Sequence, residues 1–88
     1  MDLDNLRRKI DEIDDKIIIL LRERLKTAKK IGKIKIRRKM KIFDAKREKR
    51  VLENAIQKAK RRNIRNLKEI KRIYKKIIKM CREAQLTL

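Results

Sequence analysis

The sequence LRRKIDEIDDKIIIL, residues 6–20, places apolar side chains at Leu6, Ile10, Ile13, Ile17 and Leu20. These alternating steps of four and three residues are typical of an α-helix that packs along another helix. The same face continues at three further apolar residues, Ala28, Ile31 and Ile34. Asp2 or Asp4 can cap the start of this helix. We therefore predict a first helix over about residues 4–35.

The predicted first helix is too long for a monomeric domain of this size. A helix of this length extends roughly 45–50 Å, whereas a compact chain as short as this one has a radius of gyration of about 12 Å. The helix must project beyond a monomeric core, and 88 residues bury only a modest core. Because the apolar face runs along the whole helix, we expect one domain, residues 1–88, in a symmetric homodimer.

The rest of the chain is also predicted to be helical, since it has no Pro and a single Gly for tight turns. Residues 36–43 lose the apolar pattern and are interpreted as a basic connection. Asp44 can then cap a second helix. The inward face of this second helix is predicted to carry Glu48, Leu52, Ala55 and Ala59.

A third helix is predicted after residue 66. Asn66 and Glu69 have the spacing of a capping box. The expected apolar stripe of this helix is Leu67, Ile70, Ile73, Ile77, Cys81, Ala84 and Leu88. The predicted fold class is all-α, with three helices per chain, one of them very long, intertwined in a homodimeric helical bundle.

The chain is strongly basic, with 31 Lys and Arg against 12 Asp and Glu and a formal charge of +19. Such a surface attracts anions, which leaves nucleic acid and acidic membranes as candidates, although a Lys-rich and Ile-rich composition also reflects genome or habitat bias. The basic residues are spread over all three predicted helices, and almost no aromatic side chain is available to stack on bases. Nucleic-acid binding is therefore expected only as an incidental property.

Cellular location is predicted from the cysteine content and from the N-terminal residues. Cys81 is the only cysteine, which excludes an intrachain disulfide. The acidic start at residues 1–4 is unlike a signal peptide, and no apolar run approaches the roughly 20 residues that span a bilayer. We expect a cytoplasmic protein without a membrane partner.

Two cations occupy positions where the first helix should be apolar. Arg24 follows Leu20 in the four-three pattern, and Lys35 lies four residues beyond Ile31. The 11 residues between them make three turns plus roughly 20°, so Arg24 and Lys35 share a face with their backbones roughly 16 Å apart. Two long cationic side chains at that separation can hold a small molecule with a negative group at each end.

Further polar residues border the apolar faces of the other two helices. They are Asp44, Arg47 and Glu48 at the start of the second helix and Gln85 at the end of the third. If neighbouring helices run antiparallel, these ends come close to the end of the first helix. Each residue alone also has a structural interpretation, because long charged side chains reach solvent and Glu48 can form a simple salt bridge. Only their combination indicates a site.

The sequence resembles the all-helical chorismate mutases over nearly its whole length. The matching segments are Leu6-Arg-Arg-Lys-Ile-Asp-Glu-Ile-Asp, Leu20-Leu-Arg-Glu-Arg through Ile31-Gly-Lys-Ile-Lys35, Asp44-Ala-Lys-Arg-Glu48 and Ile77-Ile-Lys-Met-Cys-Arg-Glu-Ala-Gln85. The resemblance implies an intertwined dimer with two equivalent sites, each receiving one arginine from the opposite chain. It implies the Claisen rearrangement of chorismate to prephenate, which needs no cofactor or metal. The implied site residues are Arg7, Arg24, Lys35, Asp44, Arg47, Glu48 and Gln85.

The resemblance also implies a role for each residue. Arg24 and the partner's Arg7 would bind the two carboxylates, with Arg47 adding positive field. Lys35 and Gln85 would donate to the ether oxygen. Glu48, with the helix start at Asp44, would engage the ring hydroxyl. The helical arithmetic agrees with a division of Arg7 and Arg24 between two sites, because 17 residues place them roughly 25 Å apart and about 100° around the helix from each other.

Two features depart from the family pattern. Cys81 stands where some members have a small hydroxyl residue, which puts a minor hydrogen bond to a carboxylate in doubt. The connection over residues 36–43 is unusually basic and lacks the usual proline.

An isochorismate pyruvate lyase of the same fold remains an alternative because it would use a similar clamp for two carboxylates. A basic helical nucleic-acid-binding protein and a purely structural helical bundle are the alternatives from other classes.

Overall fold

The computed structural model describes residues 2–86. It contains three helices, α1 (Leu3–Arg37), α2 (Ala45–Arg61) and α3 (Leu67–Ala84), and residues 2–86 form no strand. The all-α, three-helix prediction is confirmed. No helix within this range is long and apolar enough to cross a membrane.

The first helix extends slightly beyond its predicted bounds. Asp2 is its N-cap, and the Asp2 carboxylate accepts a hydrogen bond of 3.0 Å from the backbone N–H of Asp4. The 35 residues of α1 correspond to about 52 Å of helix. The chain is accordingly elongated, with a radius of gyration of 16.0 Å and extents of 55 × 25 × 16 Å.

Both connections begin with a Schellman motif. After α1, Lys39 adopts a φ of 55°, and the N–H groups of Lys39 and Met40 donate to the carbonyls of Ile36 and Lys35. After α2, Asn63 adopts a φ of 62°, with the same pair of bonds to Lys60 and Ala59. These bonds satisfy carbonyls that a helix end leaves unpaired. The chain therefore ends two helices sharply without glycine or proline.

The caps of the second and third helices differ from each other. Asp44 caps α2 as predicted, since its carboxylate accepts from the N–H of Arg47 at 3.0 Å. The capping-box prediction for α3 was wrong. Asn66 makes no side-chain cap bond, and Glu69 instead forms a 2.8 Å ion pair with Arg72 on the exposed surface. Asn66 has a ψ of 59°, outside the extended region in which a cap side chain reaches the first turn.

The third helix packs against both of the others, whereas α1 and α2 have no direct backbone contact within the described residues. Ala28, Cys81 and Ala84 form a buried cluster between α1 and α3. The predicted inward face of α2 is confirmed, with Ala55 and Ala59 buried. Small side chains let the helices approach closely, and the core is correspondingly modest.

One position of the predicted stripe on α3 was wrong. Ile73 remains 53% exposed, and Tyr74 is half-buried in its place. At 100° per residue, Ile73 lies about 120° around the helix from Leu67, whereas Tyr74 lies within about 20°. Leu88, the last predicted member of the stripe, lies outside the described residues.

The N-terminal half of α1 projects from this packed unit. Every residue from 3 to 20 is exposed, including the apolar face predicted to contact another helix. Ile17 is 48% exposed and Leu20 is 61% exposed. The chain thus presents a continuous apolar helix face that none of its own described residues covers.

Candidate active site

A cavity of about 390 Å³ lies in the gap between α1 and α2, with α3 as its third wall. The gap exists because α3 separates the other two helices. The lining consists of Arg24, Thr27, Ala28, Ile31, Lys35, Asp44, Arg47, Glu48, Val51, Ile78, Cys81, Arg82 and Gln85. Seven of the eight residues predicted from the sequence, counting Cys81, line this one cavity; Arg7 does not.

The first wall comes from the C-terminal half of α1. Arg24 and Lys35 are both half-buried and face the cavity from the same side of the helix, as their spacing predicted. The Lys35 ammonium donates a hydrogen bond of 2.8 Å to the carbonyl of Ile42 in the connection between α1 and α2. An ammonium has three donors. Two therefore remain for a bound molecule, and the side chain is held in place.

The second wall is the start of α2, which contributes Asp44, Arg47, Glu48 and Val51. The Asp44 carboxylate is engaged in capping the helix, which leaves its other lone pairs available to a ligand. The N-terminal end of a helix dipole adds positive field at this wall. Glu48 is half-buried.

The third wall is the end of α3, where Ile78, Cys81, Arg82 and Gln85 face the cavity. The Gln85 side-chain oxygen is buried and has no hydrogen-bond partner among the described residues. The backbone of Gln85 is held against α1 at Gly32. A Cβ built on Gly32 would lie within 2.3 Å of the Gln85 carbonyl oxygen, so only glycine permits this approach.

Arg82 is the charged residue of the cavity lining that the sequence did not predict. Its Nε lies 3.1 Å from the Glu48 Oε2, and its guanidinium carbon lies 5.1 Å from the centroid of the Phe43 ring. A signal was present in the sequence, because Arg82 lies four residues after Ile78 and three before Gln85, on the same helical face. It sits directly beside Cys81, however, and in a chain with 31 Lys and Arg one more arginine at the border of a stripe is not distinctive.

The polar lining has an excess of positive charge. Four cations, Arg24, Lys35, Arg47 and Arg82, face two carboxylates, Asp44 and Glu48, which leaves a formal charge of +2. The described residues contain no cluster of three or more side chains able to hold a metal ion. The cavity offers a ligand guanidinium, ammonium, carboxylate and amide groups, together with the Thr27 hydroxyl and the Cys81 thiol.

Arg7 lies on the projecting half of α1, where it is exposed. It is 17 residues, roughly 25 Å along the helix, from Arg24. The described chain therefore does not bring Arg7 to its own cavity.

The fold and the cavity together define an all-helical protein with a cationic pocket between its helices, and comparison with known proteins identifies the family. The family model described as chorismate mutase type II matches residues 6–86. A bifunctional chorismate mutase/prephenate dehydratase of Aquifex aeolicus is 35% identical over 82 residues, which are 91% of this chain. The chain spans only 23% of the length of that relative.

A solved structure supports the same relationship. The chain is similar to a conserved hypothetical protein from Pyrococcus furiosus, with a TM-score of 0.72, 37% identity and coverage of 94% of this chain and 93% of that one. Since the family model covers nearly the whole chain, the protein belongs to the chorismate mutase type II family, whose name is that of an isomerase.

Proposed function

We propose that this chain is a chorismate mutase, which rearranges chorismate to prephenate. The observation that carries this proposal is the meeting of Arg24, Lys35, Glu48 and Gln85 in one cavity whose lining has a formal charge of +2. Chorismate has two carboxylates, an ether oxygen and a ring hydroxyl. One carboxylate, the ether oxygen and the ring hydroxyl each have a complementary partner among the cavity side chains, and the second carboxylate is assigned to the partner's Arg7.

The carboxylates are bound by arginines in this proposal. Arg24 binds one and the partner's Arg7 the other, while Arg47 and the start of α2 add positive field. Arginine suits this role because its planar guanidinium donates two parallel hydrogen bonds to a carboxylate. Holding both ends of the substrate favours the diaxial conformer in which the two reacting carbons are close, which lowers the entropic part of the barrier.

Lys35 and Gln85 stabilise the charge that develops in the transition state. As the C–O bond breaks, negative charge builds on the ether oxygen, and the Lys35 ammonium and the Gln85 amide N–H donate to it. An acceleration of about 10⁶-fold requires roughly 8 kcal/mol, and fixed donors in a site with little water are a sufficient source. The bond from Lys35 to the Ile42 carbonyl supports this role because it restricts the lysine before substrate binds.

The remaining polar residues recognise the ring side of the substrate. Glu48 accepts a hydrogen bond from the ring hydroxyl, and Asp44 lies one turn earlier on the same helix. Cys81, buried in the third wall, contributes at most a weak donor to a carboxylate. No covalent step is involved, since the reaction is an intramolecular rearrangement of bonds.

A homodimer completes this site in our proposal. The exposed apolar face of residues 3–20 supports it, because burying one such Ile or Leu side chain stabilises an assembly by about 1.5–3 kcal/mol. An antiparallel second copy covers that face and brings its Arg7 toward the cavity. The site of each protomer then contains seven of the predicted side chains of its own and one arginine of its partner.

The experiment is an assay of chorismate consumption with identification of the product. Prephenate as the product supports the proposal, whereas salicylate with pyruvate would assign the chain as a lyase of the same fold. Arg24→Ala and Lys35→Ala are each expected to lower kcat at least about 100-fold, the scale for loss of one transition-state donor. Arg22→Ala and Lys33→Ala are matched controls, since both residues are exposed on α1 and face away from the cavity. Full activity of either cavity variant would contradict the assignment.

A further inference from the structure

Arg82 lines the cavity but has no part in the mechanism proposed above. Its side chain is 35% exposed and reaches from α3 to Glu48 on α2, whose side chain is 24% exposed. Surface ion pairs between mobile side chains contribute little to the free energy of folding. This pair differs because both members are largely covered and because the arginine has a second contact.

The second contact is the Phe43 ring. The Arg82 guanidinium lies over it at 5.1 Å from the ring centroid, a distance at which the cation is attracted to the π face. Phe43 immediately precedes Asp44, the N-cap of α2. Arg82 is thus attached to the connection on one side and to α2 on the other.

The geometry of the pair with Glu48 is that of an ion pair rather than an aligned hydrogen bond. The Arg82 Nε is buried and has no hydrogen-bond partner within the described residues, although Oε2 of Glu48 lies 3.1 Å away. Arg82 thus contacts the carboxylate through Oε2.

We propose that Arg82 is a positioning residue for Glu48. By holding Oε2, Arg82 turns the other carboxylate oxygen toward the position of the ring hydroxyl, and Phe43 keeps the guanidinium in the orientation that does this. The inference rests on the proposed function of the cavity and adds to it a Phe43–Arg82–Glu48 chain of contacts. The connection between α1 and α2 then holds two side chains of the site in place. The Ile42 carbonyl accepts from Lys35, and the Phe43 ring contacts Arg82.

The test is a double-mutant cycle of Arg82→Met and Glu48→Gln. Methionine keeps most of the length and apolar contact of arginine but removes the charge. Arg82→Met is expected to lower kcat/KM about tenfold, the scale of one charge-assisted contact at a partly exposed position. In the Glu48→Gln background the same change should alter kcat/KM less than about twofold, because its effect passes through the missing carboxylate.

Phe43→Leu tests the other end of the chain of contacts. It keeps an apolar side chain and removes the π face, so kcat/KM should fall about threefold in the wild-type background. In the Arg82→Met background it should have no effect. Arg72→Met is the matched control, since Arg72 pairs with Glu69 on the exposed surface of the same helix and does not line the cavity.

Urea unfolding of the same variants, at one fixed protein concentration, distinguishes failure of this inference from failure of the proposed function. Coupling of Arg82 and Glu48 in both stability and kcat/KM supports the inference. Coupling in stability with additive effects on kcat/KM overturns the positioning role while the mutase assignment stands. If the cycle shows coupling of Arg82 and Glu48 in stability but the wild-type chain turns over no chorismate, the proposed function is overturned, and the positioning role with it.

Discussion

At the scale of single residues, Gln85 is the proposed donor to the ether oxygen, and its position is closely confined. Its side-chain oxygen is buried without a partner, and its backbone is pressed against Gly32. Its candidacy could be predicted from the sequence because a polar residue bordered an apolar stripe. Arg82 could not be singled out in the same way, since in a chain that is 49% charged one more arginine beside a stripe carries little information.

The neutral amide of Gln85 leads to a prediction about pH. We expect Gln85→Glu to be at least about 100-fold less active than wild type at pH 7, because a carboxylate cannot donate to the ether oxygen and repels its developing charge. Activity should return as the pH falls and the new carboxyl becomes protonated and able to donate. The wild-type chain should need no acid pH.

The measurement is kcat between pH 4 and 8 for wild type, Gln85→Glu and Gln57→Glu. Gln57 is exposed on α2 and serves as the matched control. A wild-type activity maximum below about pH 5, near the ordinary pKa of a carboxyl group, would contradict the role given to Gln85.

At the scale of helices, the periodic pattern and the cap residues predicted where each helix lies, and the bounds agree within two residues for α1. The capping box at Asn66 and the burial of Ile73 were wrong. Both predictions were based on local spacing alone. In the structure, α3 packs between two helices, Tyr74 is half-buried instead of Ile73, and Glu69 pairs with Arg72. The left-handed conformation of Lys39 was not predicted either, because lysine gives no signal for it.

The prediction at this scale concerns the replacement of Gly32 by alanine. Replacing a helical glycine by alanine normally stabilises a helix by about 0.5–1 kcal/mol. Gly32→Ala should instead destabilise the chain by about 1–3 kcal/mol, because the added Cβ meets the Gln85 backbone and the end of α3 must move away. kcat should fall with it, since Gln85 leaves the cavity wall.

Urea unfolding and kcat are measured for Gly32→Ala beside Lys33→Ala, an exposed neighbour on α1 that makes no such approach. If Gly32→Ala were more stable than wild type and fully active, the close contact between α1 and α3 would not exist in solution.

At the scale of the whole molecule, the projecting half of α1 is the feature that one chain leaves unexplained. Its apolar face is exposed from residue 3 to residue 20, and Arg7 on it lies roughly 25 Å from Arg24. A homodimer would account for both observations. It also predicts that neither protomer is catalytically complete.

Mixing two inactive variants tests this directly. Arg7→Ala and Lys35→Ala homodimers should each be nearly inactive. After unfolding and refolding together in equal amounts, about half of the dimers are hybrids, and each hybrid has one intact site if Arg7 acts across the interface. About a quarter of wild-type activity should then return.

The control is a mixture of Arg24→Ala with Lys35→Ala. These two residues line the same cavity of the same chain, so their hybrid retains one damaged residue in each site and no activity should return. Recovery in the control, or none in the Arg7 mixture, would contradict the proposed arrangement of the two sites.

The sequence by itself determined the three helices, the Asp44 cap of α2 and the faces on which Arg24, Lys35 and Glu48 lie. These properties depend on spacing along one helix, which the order of residues contains directly. Only the tertiary structure decided that α3 separates α1 from α2 and leaves a cavity of about 390 Å³ between them. It also decided that Arg82 reaches Glu48 and Phe43, because contacts between helices depend on how their surfaces fit, and no pattern along a single helix specifies that.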